Sequence, residues 1–388
     1  MIRTYQYRLF PTHQQQRTLD DMLDVARQFY NYALQYRRER WQESRYSVSY
    51  NQQTGMWRDW RNETPDDNPL RLLNMSAGQQ LLRRLDKAYG EFLKGNRGLP
   101  RFKGKNRFHS LEFRHGDGCK LKQGERTLFY IQNVGDVKVK FHRPLPGGAT
   151  IQHVILKRSC RKWYVYLQIE FDAPVLSVHA GEAVGIDVGI SALLTLSNGV
   201  KVKNPRWLRE AQARLRVAQR RLSRRKRGSH RRRKAAFQVA KLHEHVANTR
   251  KDFWHKTTRQ LADTYSLIAI EDLRLAFMTH NQHLALSAHD AALGLFRQLL
   301  TYKAESAGGE VVAVNAYNTS QVCSCCGALV PKDLSVRVHD CPHCGVSLDR
   351  DENAARNILS LALESVGTPP SGVKVEQRLM PSLRSLRL

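Results

Sequence analysis

The sequence has no long apolar run. None of its hydrophobic stretches approaches the roughly 18 residues that a membrane-spanning helix requires. Residues 1–7 also lack the apolar core of a signal peptide. These absences argue against a membrane protein and against a secreted one, so we expect a cytoplasmic protein with no membrane partner.

Cysteine is scarce as well, with seven residues in a chain of 388, which argues against a disulfide framework. Four of the seven form two Cys-x-x-Cys knuckles, Cys323 with Cys326 and Cys341 with Cys344, separated by 14 residues. Two facing knuckles supply four thiolates in the tetrahedral arrangement that structural zinc requires. Four thiolates leave no position for water, so we predict one structural Zn²⁺. Cys325, inside the first knuckle, is not an expected ligand.

Acidic residues are few: 35 Asp and Glu stand against 63 Lys and Arg, a formal net charge of +28. Such a chain attracts polyanions, and nucleic acid is a better candidate than an anionic membrane. The imbalance is greatest over residues 214–241, which contain 13 Lys or Arg and no acid. A solvated coiled hairpin is the alternative, but a run of one sign repels itself, which favours a phosphate backbone as counter-charge.

The expected nucleic-acid contacts lie in two segments. The first is a basic loop, residues 98–107, whose Gly, cations and aromatic suit a loop that follows a nucleic-acid strand, although a solvated turn has a similar composition. The second is an apolar-striped α-hairpin, residues 206–254. The predicted contacts are Arg101, Lys103 and Lys105 in the loop, and Arg220, Arg221, Arg224, Arg225, Lys226, Arg227, Arg231, Arg232, Arg233 and Lys234 in the hairpin.

Periodicity organises the first half of the chain. Residues 5–9 alternate like a strand, and Thr12 with Gln15 predicts a capping box that opens a long amphipathic helix. From residue 110 to 171 the period becomes two, which predicts an antiparallel β region. The helical residues 12–95 therefore look inserted between a first strand and the rest of its sheet, with a boundary at 172–174.

The second half predicts an α/β domain. Residues 183–190 form a buried strand, and Ser197-Asn198-Gly199 predicts a hairpin after it. Further strands follow at 266–270 and 310–314, and a helix begins near residue 350. This order of elements fits an RNase H-like fold. Residues 365–388 show no periodicity, so we expect a disordered basic tail.

Three acids occupy distinctive positions in that order: Asp187 within a strand, Glu271 at a strand end, and an acid in the first turn of the late helix. An isolated Asp187 is explained as a turn cap. As a set, converging carboxylates need cations, and hard oxygen ligands select Mg²⁺ or Mn²⁺. Gly185 and Gly189 would let a ligand or another backbone approach Asp187, and a phosphodiester backbone is the occupant we expect.

Spacing leaves the choice among neighbouring acids open. Strand alternation places Glu271 and Asp272 on opposite faces, so at most one of them is a ligand. Residues 349–352 contain three acids, Asp349, Asp351 and Glu352, between which helix phase alone does not decide.

These motifs closely resemble the TnpB (OrfB) family of transposon-encoded proteins, which have a RuvC-like nuclease domain and are related to type V CRISPR effectors. The resemblance runs nearly end to end. It rests on Gly-Ile-Asp187-Val-Gly-Ile, Ile-Glu271-Asp-Leu, the two knuckles, Asp349-Arg-Asp351-Glu-Asn-Ala-Ala-Arg-Asn-Ile, Arg8-Leu-Phe-Pro-Thr and Gly98-x-Pro100-Arg-Phe-Lys103.

The resemblance implies an RNA-guided DNA endonuclease with catalytic, metal-binding residues Asp187, Glu271 and Asp351. A guide RNA from the transposon end would direct it to double-stranded DNA beside a short adjacent motif, in the cytoplasm at the nucleoid. Two Mg²⁺ or Mn²⁺ ions would serve phosphodiester hydrolysis. The alternatives are an RNA-guided repressor and an accessory, transposase-like DNA-binding protein.

The resemblance also implies a domain arrangement. Residues 1–10 and 109–178 would form a wedge-like β-barrel, with a helical recognition lobe, 11–108, inserted in it. Residues 179–318 and 347–364 would form the RuvC-like domain, interrupted by a zinc ribbon at 319–346.

Overall fold

The computed structural model describes residues 1–172, 179–272, 285–315, 317–333 and 336–367. The chain divides into two compact units, Met1–Pro174 and Val175–Leu388. Within the described ranges, no helix is both long enough and apolar enough to cross a membrane.

The first unit combines a sheet with three long helices. In chain order its elements are β1 (Ile2–Phe10), α1 (His13–Ser44), α2 (Tyr50–Glu63), α3 (Met75–Leu93), β2 (Ser110–Arg114), β3 (Cys119–Lys122), β4 (Leu128–Ile131), β5 (Gly135–Lys140), β6 (Thr150–Ser159) and β7 (Lys162–Glu170). The predicted capping box opens α1: Thr12 accepts from the backbone N–H of Gln15, whose side chain accepts from the Thr12 N–H. Apolar residues of α1 at helical spacing, among them Leu19 and Leu34, are fully buried against the sheet's inner face.

The sheet of this unit has seven strands in the order β2-β6-β7-β1-β5-β4-β3, all antiparallel. The first strand, β1, is thus central, paired with β7 and β5, and the three helices follow it before β2 begins. Among the described strands, β2 and β3 form the two edges and no ladder joins them. The sheet is therefore open between β2 and β3, and its strands form a half-barrel.

The second unit is an α/β domain. Its elements are β8 (Glu182–Val188), β9 (Ala192–Leu196), β10 (Lys201–Lys203), α4 (Trp207–Ser223), α5 (His230–Thr264), β11 (Tyr265–Glu271), α6 (Ala285–Ala291), α7 (Leu293–Ser306), β12 (Glu310–Val314), β13 (Val338–Asp340), β14 (Ser347–Asp349) and α8 (Arg350–Gly367). Its main sheet has the order β10-β9-β8-β11-β12. Strands β8, β9 and β10 form the predicted antiparallel meander, while β11 runs parallel to both β8 and β12.

Alternation gives this sheet two different faces. Val184, Ile186, Ile268 and Ile270 point into a core shared with helices α5 and α7. The residues between them point the other way, where Ala269 packs with apolar residues of α8. Helix α8 continues to Gly367, so it enters the stretch expected to be a tail, whose remainder (368–388) lies outside the described residues.

Candidate active site and cysteine centre

Asp187 and Glu271 stand side by side at one edge of the sheet. Asp187 is the penultimate residue of β8, so it lies within the strand near its end, and Glu271 is the last residue of β11. The two strands are parallel, and Ile186 pairs with Ile270, so the acids follow at the next register position. Both side chains point to the face covered by α8, because alternation sends the preceding isoleucines into the opposite core. Parallel strands thus bring two distant acids together.

Asp351 reaches the same edge from α8, where it lies in the first turn. Its carboxylate is 3.3 Å from a terminal guanidinium nitrogen of Arg350, and both side chains are largely buried. Helix α8 packs across β8 and β11, which places its N-terminus over their carboxyl ends. The structure therefore brings the three predicted acids into electrostatic contact with one another.

Burial and mutual repulsion destabilise the ionised forms of the site's carboxylates, so a bound cation would be favourable there. Burial raises the pKa of Asp187 well above its usual range, and repulsion from Glu271 and Asp351 raises it further, while Arg350 acts in the opposite sense. Burial raises the pKa of Glu271 to about 7; a hydrogen bond from Thr319 opposes this rise and Asp351 adds to it. A divalent cation removes this repulsion, and an all-oxygen donor set fits Mg²⁺ or Mn²⁺.

The neighbouring acids that spacing left as alternatives have other contacts. Asp272, on the opposite face, forms an ion pair of 2.7 Å with Arg297 of α7. Asp349 pairs with Lys201 at 2.6 Å and accepts from the N–H groups of residues 351 and 352, so it caps α8. Glu352 pairs with Arg356 at 2.7 Å. These contacts leave Glu271 and Asp351 as the acids directed to Asp187.

The expected role of the two glycines is wrong in one respect. A Cβ atom at Gly185 would lie 2.0 Å from the carbonyl oxygen of Ala355, and one at Gly189 would lie 2.9 Å from that of Ala192. The close approach at Gly185 is therefore made by helix α8, and that at Gly189 by the adjacent turn. Both are backbone approaches within the protein, so neither glycine is clearance for a phosphodiester.

The two knuckles converge as predicted. The sulfur atoms of Cys323, Cys326, Cys341 and Cys344 all lie within 4.8 Å of one another, and no other group of three or more His, Cys, Asp or Glu ligands in the described residues does so. The Cys323–Cys344 and Cys326–Cys341 sulfur pairs are each 3.6 Å apart. Tetrahedral zinc with bonds of about 2.3 Å places sulfurs roughly 3.8 Å apart, so the cluster fits zinc. Cys325 is exposed outside it.

Several residues of these centres were not anticipated. Arg350 is the cation beside the acids, and its position between two acids in the sequence is the only indication of that role. His339 is fully buried at the cysteine centre, where its imidazole contacts Cys323 and Lys332. Thr319, which contacts Glu271, is marked by nothing in the sequence, because the contact joins segments distant along the chain.

The predicted basic contacts divide into exposed and internally bonded side chains. Arg101 and Lys105 are exposed, whereas the backbone of Lys103 is held by Asn31 of α1 at both its N–H (2.7 Å) and carbonyl (3.0 Å). In the hairpin formed by α4 and α5, Arg232 donates to the carbonyls of Leu222 (2.9 Å) and Arg225 (3.0 Å), so it fixes the turn. The other predicted residues of the hairpin are exposed except Arg225, which is half-buried.

The raised pKa of Glu271 predicts how the metal-free protein responds to pH. Its folded-state pKa lies above the unfolded value, so the associated stability is present below pH about 4.5 and is lost as pH rises through about 7. Asp187 shifts in the same direction. We expect the free energy of unfolding in magnesium-free buffer, with zinc retained, to fall by about 3 kcal/mol between pH 5 and 8.

Chemical denaturation measures this change. Millimolar Mg²⁺ at pH 8 should restore the lost stability, and Glu271→Gln should flatten the pH profile. An unchanged profile in that variant would show that the carboxylate is not in the repulsive environment described above.

Three family models match the chain. They are described as "Probable transposase" (residues 167–282), "Cas12f1-like, TNB domain" (residues 294–358) and "Helix-turn-helix domain" (residues 1–45). The last description does not suit residues 1–45, all of which the structure describes, because they form β1 and one continuous helix, α1.

Relatives match over nearly the full length. A Streptomyces pristinaespiralis protein, provisionally named an RNA-guided DNA endonuclease, is 34% identical over 364 residues, which is 93% of this chain and 89% of the relative. The Escherichia coli K12 protein InsQ, provisionally named in the same way, is 28% identical over 92% of both chains. A solved Cas12f1–sgRNA–target DNA complex covers 88% of this chain and 81% of its own with a TM-score of 0.56 at 16% identity, which shows a shared fold.

Fold and comparisons together define a class: α/β proteins with a Cas12f-like fold, a half-barrel sheet and a TNB domain. The chain belongs to the TnpB (OrfB) family.

Proposed function

We propose that this protein is an RNA-guided DNA endonuclease. The observation that carries the proposal is the convergence of Asp187, Glu271 and Asp351 at the carboxyl edge of a parallel strand pair, where burial and the neighbouring carboxylates raise the pKa values of Asp187 and Glu271. Full-length relatives provisionally named RNA-guided DNA endonucleases support the same activity.

In this proposal the three carboxylates would hold the divalent cations that phosphodiester hydrolysis requires. Two Mg²⁺ or Mn²⁺ ions, when bound, supply activation of water and stabilisation of the leaving oxygen. Asp187 and Glu271 provide adjacent oxygen donors from fixed strand positions, and Asp351 closes the site from the first turn of α8. Arg350 offsets part of the negative charge and orients Asp351 by a hydrogen bond.

The proposed partners are a guide RNA from the transposon end and double-stranded target DNA beside a short adjacent motif. Base pairing would select the sequence, while the protein would hold phosphates and read duplex shape. The exposed cations of the α4–α5 hairpin and of loop 98–107 supply the positive surface for that task. The cysteine centre would hold one structural Zn²⁺.

Sequencing the RNA that copurifies with the protein tests the proposal most directly. We expect a discrete guide-like species that ends in transposon-end sequence, and the purified complex should cut matched duplex in Mg²⁺ to leave 5′-phosphate and 3′-hydroxyl ends. Bulk cellular RNA alone would contradict it. Binding without nicking would favour a repressor, and strand-transfer products would favour a transposase-like role.

Neutralising part of the hairpin should weaken nucleic-acid binding without loss of fold. In the triple variant Arg220→Gln, Arg221→Gln and Arg224→Gln, exposed charges are removed from the end of α4. We expect the slope of log affinity against log salt to fall by roughly 0.7–0.9 for each phosphate that the variant no longer neutralises. Fluorescence anisotropy over a salt series measures this slope.

Arg232→Gln is the contrasting variant. Because its guanidinium holds two carbonyls at the hairpin turn, this substitution should lower the thermal stability of the hairpin as well as its charge. An unchanged salt slope in the triple variant would exclude the end of α4 as a phosphate-binding surface.

A further inference from the structure

Residues 100–103 of the basic loop are fixed against helix α1. The side chain of Asn31 accepts from the backbone N–H of Lys103 at 2.7 Å and donates to its carbonyl at 3.0 Å. The guanidinium of Arg38 donates to the carbonyl of Pro100 at 2.5 Å, and Pro100 itself is buried. Surface loops are usually more mobile than the elements they connect, whereas these three bonds hold both ends of this short segment in place.

Phe102 lies between the two anchored positions, and its ring is oriented by Arg38. The guanidinium carbon of Arg38 lies over the ring, 4.9 Å from its centroid. Phe102 is nevertheless 49% exposed. Hydrogen bonds from α1 already hold the loop, so docking of the loop does not depend on burial of this ring. The loop therefore presents a fixed aromatic ring with about half of its surface open to a ligand.

The surroundings of Phe102 carry positive charge and a second exposed aromatic residue. Arg101 and Lys105 are exposed before and after it in the loop. On α1, Trp41 lies three residues beyond the guanidinium that covers the Phe102 ring, so the two helix positions are neighbours on the helix surface. Trp41 is 50% exposed, and the guanidinium carbon of Arg45 lies 5.8 Å from its ring centroid. Exposed aromatic rings among cations are the features with which proteins bind single-stranded nucleic acid.

We infer that Phe102, backed by Arg38, is a stacking platform for an unpaired base of the guide RNA. A base inside a duplex has both faces covered by its neighbours, so the ring has access only to an unpaired base. Proteins recognise RNA sequences chiefly at unpaired positions, where bases stack on aromatic rings and guanidinium planes. The inference rests on the proposed function, because the guide RNA is the partner with unpaired bases in that proposal, whereas the target DNA enters as a duplex.

Cross-linking of the purified ribonucleoprotein tests the contact without any substitution. Short-wavelength ultraviolet light excites all four natural bases and joins them to side chains that they touch. After digestion, mass spectrometry should locate a nucleotide adduct on Phe102. Adducts elsewhere on the protein, with none in the loop, would overturn the inference.

Phe102→Ala removes the ring and leaves every charge in place. The probe is the end-labelled RNA that copurifies with the wild type, added back to full-length protein freed of nucleic acid. We expect affinity to weaken about fivefold to a hundredfold, the range for loss of one stacked base. The slope of log affinity against log salt should stay unchanged, because the lost contact is uncharged. Phe102→Trp, which keeps an aromatic face, should restore the affinity.

Leu99→Ala is the matched control, since Leu99 is an apolar residue of the same loop that is 42% exposed and has no ring. It should bind the RNA like the wild type, and duplex RNA of mixed sequence should bind equally to the wild type and to Phe102→Ala. Equal losses in the two alanine variants, or an equal loss for the duplex, would overturn base stacking.

A DNA copy of the probe distinguishes the two kinds of single strand. Loss of affinity for that DNA with no change for the RNA would overturn the assignment to RNA. Failure of the proposed function has a different signature, because no discrete RNA would then copurify. A discrete RNA that Phe102→Ala binds with wild-type affinity would reject the stacking platform alone.

Discussion

Replacing Glu271 by glutamine is expected to lower the rate of target DNA cleavage by roughly a thousandfold, the scale on which removal of a charge-stabilising group acts in a preorganised site. The substitution keeps the size of the side chain and its place at the end of β11, but it removes the charge that would hold a cation. Asp187→Ala should abolish cleavage for the same reason. Guide-dependent DNA binding should persist in both variants, because the exposed cations that would contact phosphates lie elsewhere.

The adjacent acid supplies the control. Asp272 directly follows Glu271, the last residue of β11. Its side chain is nevertheless 63% exposed and forms an ion pair with Arg297. Asp272→Asn should therefore cleave at the wild-type rate, as followed by the appearance of labelled products in Mg²⁺. Equal rates of cleavage by the Glu271→Gln and wild-type proteins would show that the Glu271 carboxylate takes no part in catalysis.

The contrast between these two acids shows what sequence patterns can predict. Alternation along a strand is a local rule, so it separates the faces of Glu271 and Asp272 without a structure. The order of strands, hairpin and helices likewise predicts that Asp187 and Glu271 share an edge. The two knuckles are also local, because each is a short turn whose spacing is set by the metal geometry.

The predictions that fell short depended on packing between distant segments. The sequence predicts that Gly185 faces a phosphodiester, whereas a helix more than 160 residues later in the sequence approaches it. The choice among residues 349–352 needs the cap made by Asp349 and its ion pair with Lys201. Thr319, Arg350 and His339 act through contacts between segments, and composition cannot show such contacts.

The placement of α8 explains why one helix carries so many of these contacts. Its small residue Ala355 allows close approach to Gly185, which sets the height of the helix above β8. That height places Asp351 over the carboxyl ends of the strands, and it brings Asn353 and Asn357 to the backbone entering the cysteine knuckle. A larger residue at position 185 would shift all of these groups together, because they share one rigid element.

Removal of the metal at the cysteine centre should have the other large effect. Cys341→Ser takes one of the four converging sulfurs away, and a structural zinc site contributes roughly 10 kcal/mol or more of apparent binding energy that depends on a complete ligand set. We expect the variant to purify with no bound zinc, and we expect the wild type to purify with one ion per chain. If a few kilocalories of that binding energy contribute to the stability of the folded protein, its thermal midpoint should fall by roughly 10 °C, since each kilocalorie lost shifts the midpoint of a domain this size by about 2–4 °C.

Cys325→Ser is the control that makes this result specific. Cys325 lies between two predicted ligands but is exposed and outside the cluster, so its substitution should leave zinc content and thermal midpoint unchanged. Zinc content by elemental analysis decides between the two residues of the knuckle: loss of the ion in Cys325→Ser, with retention in Cys326→Ser, would reassign the ligand.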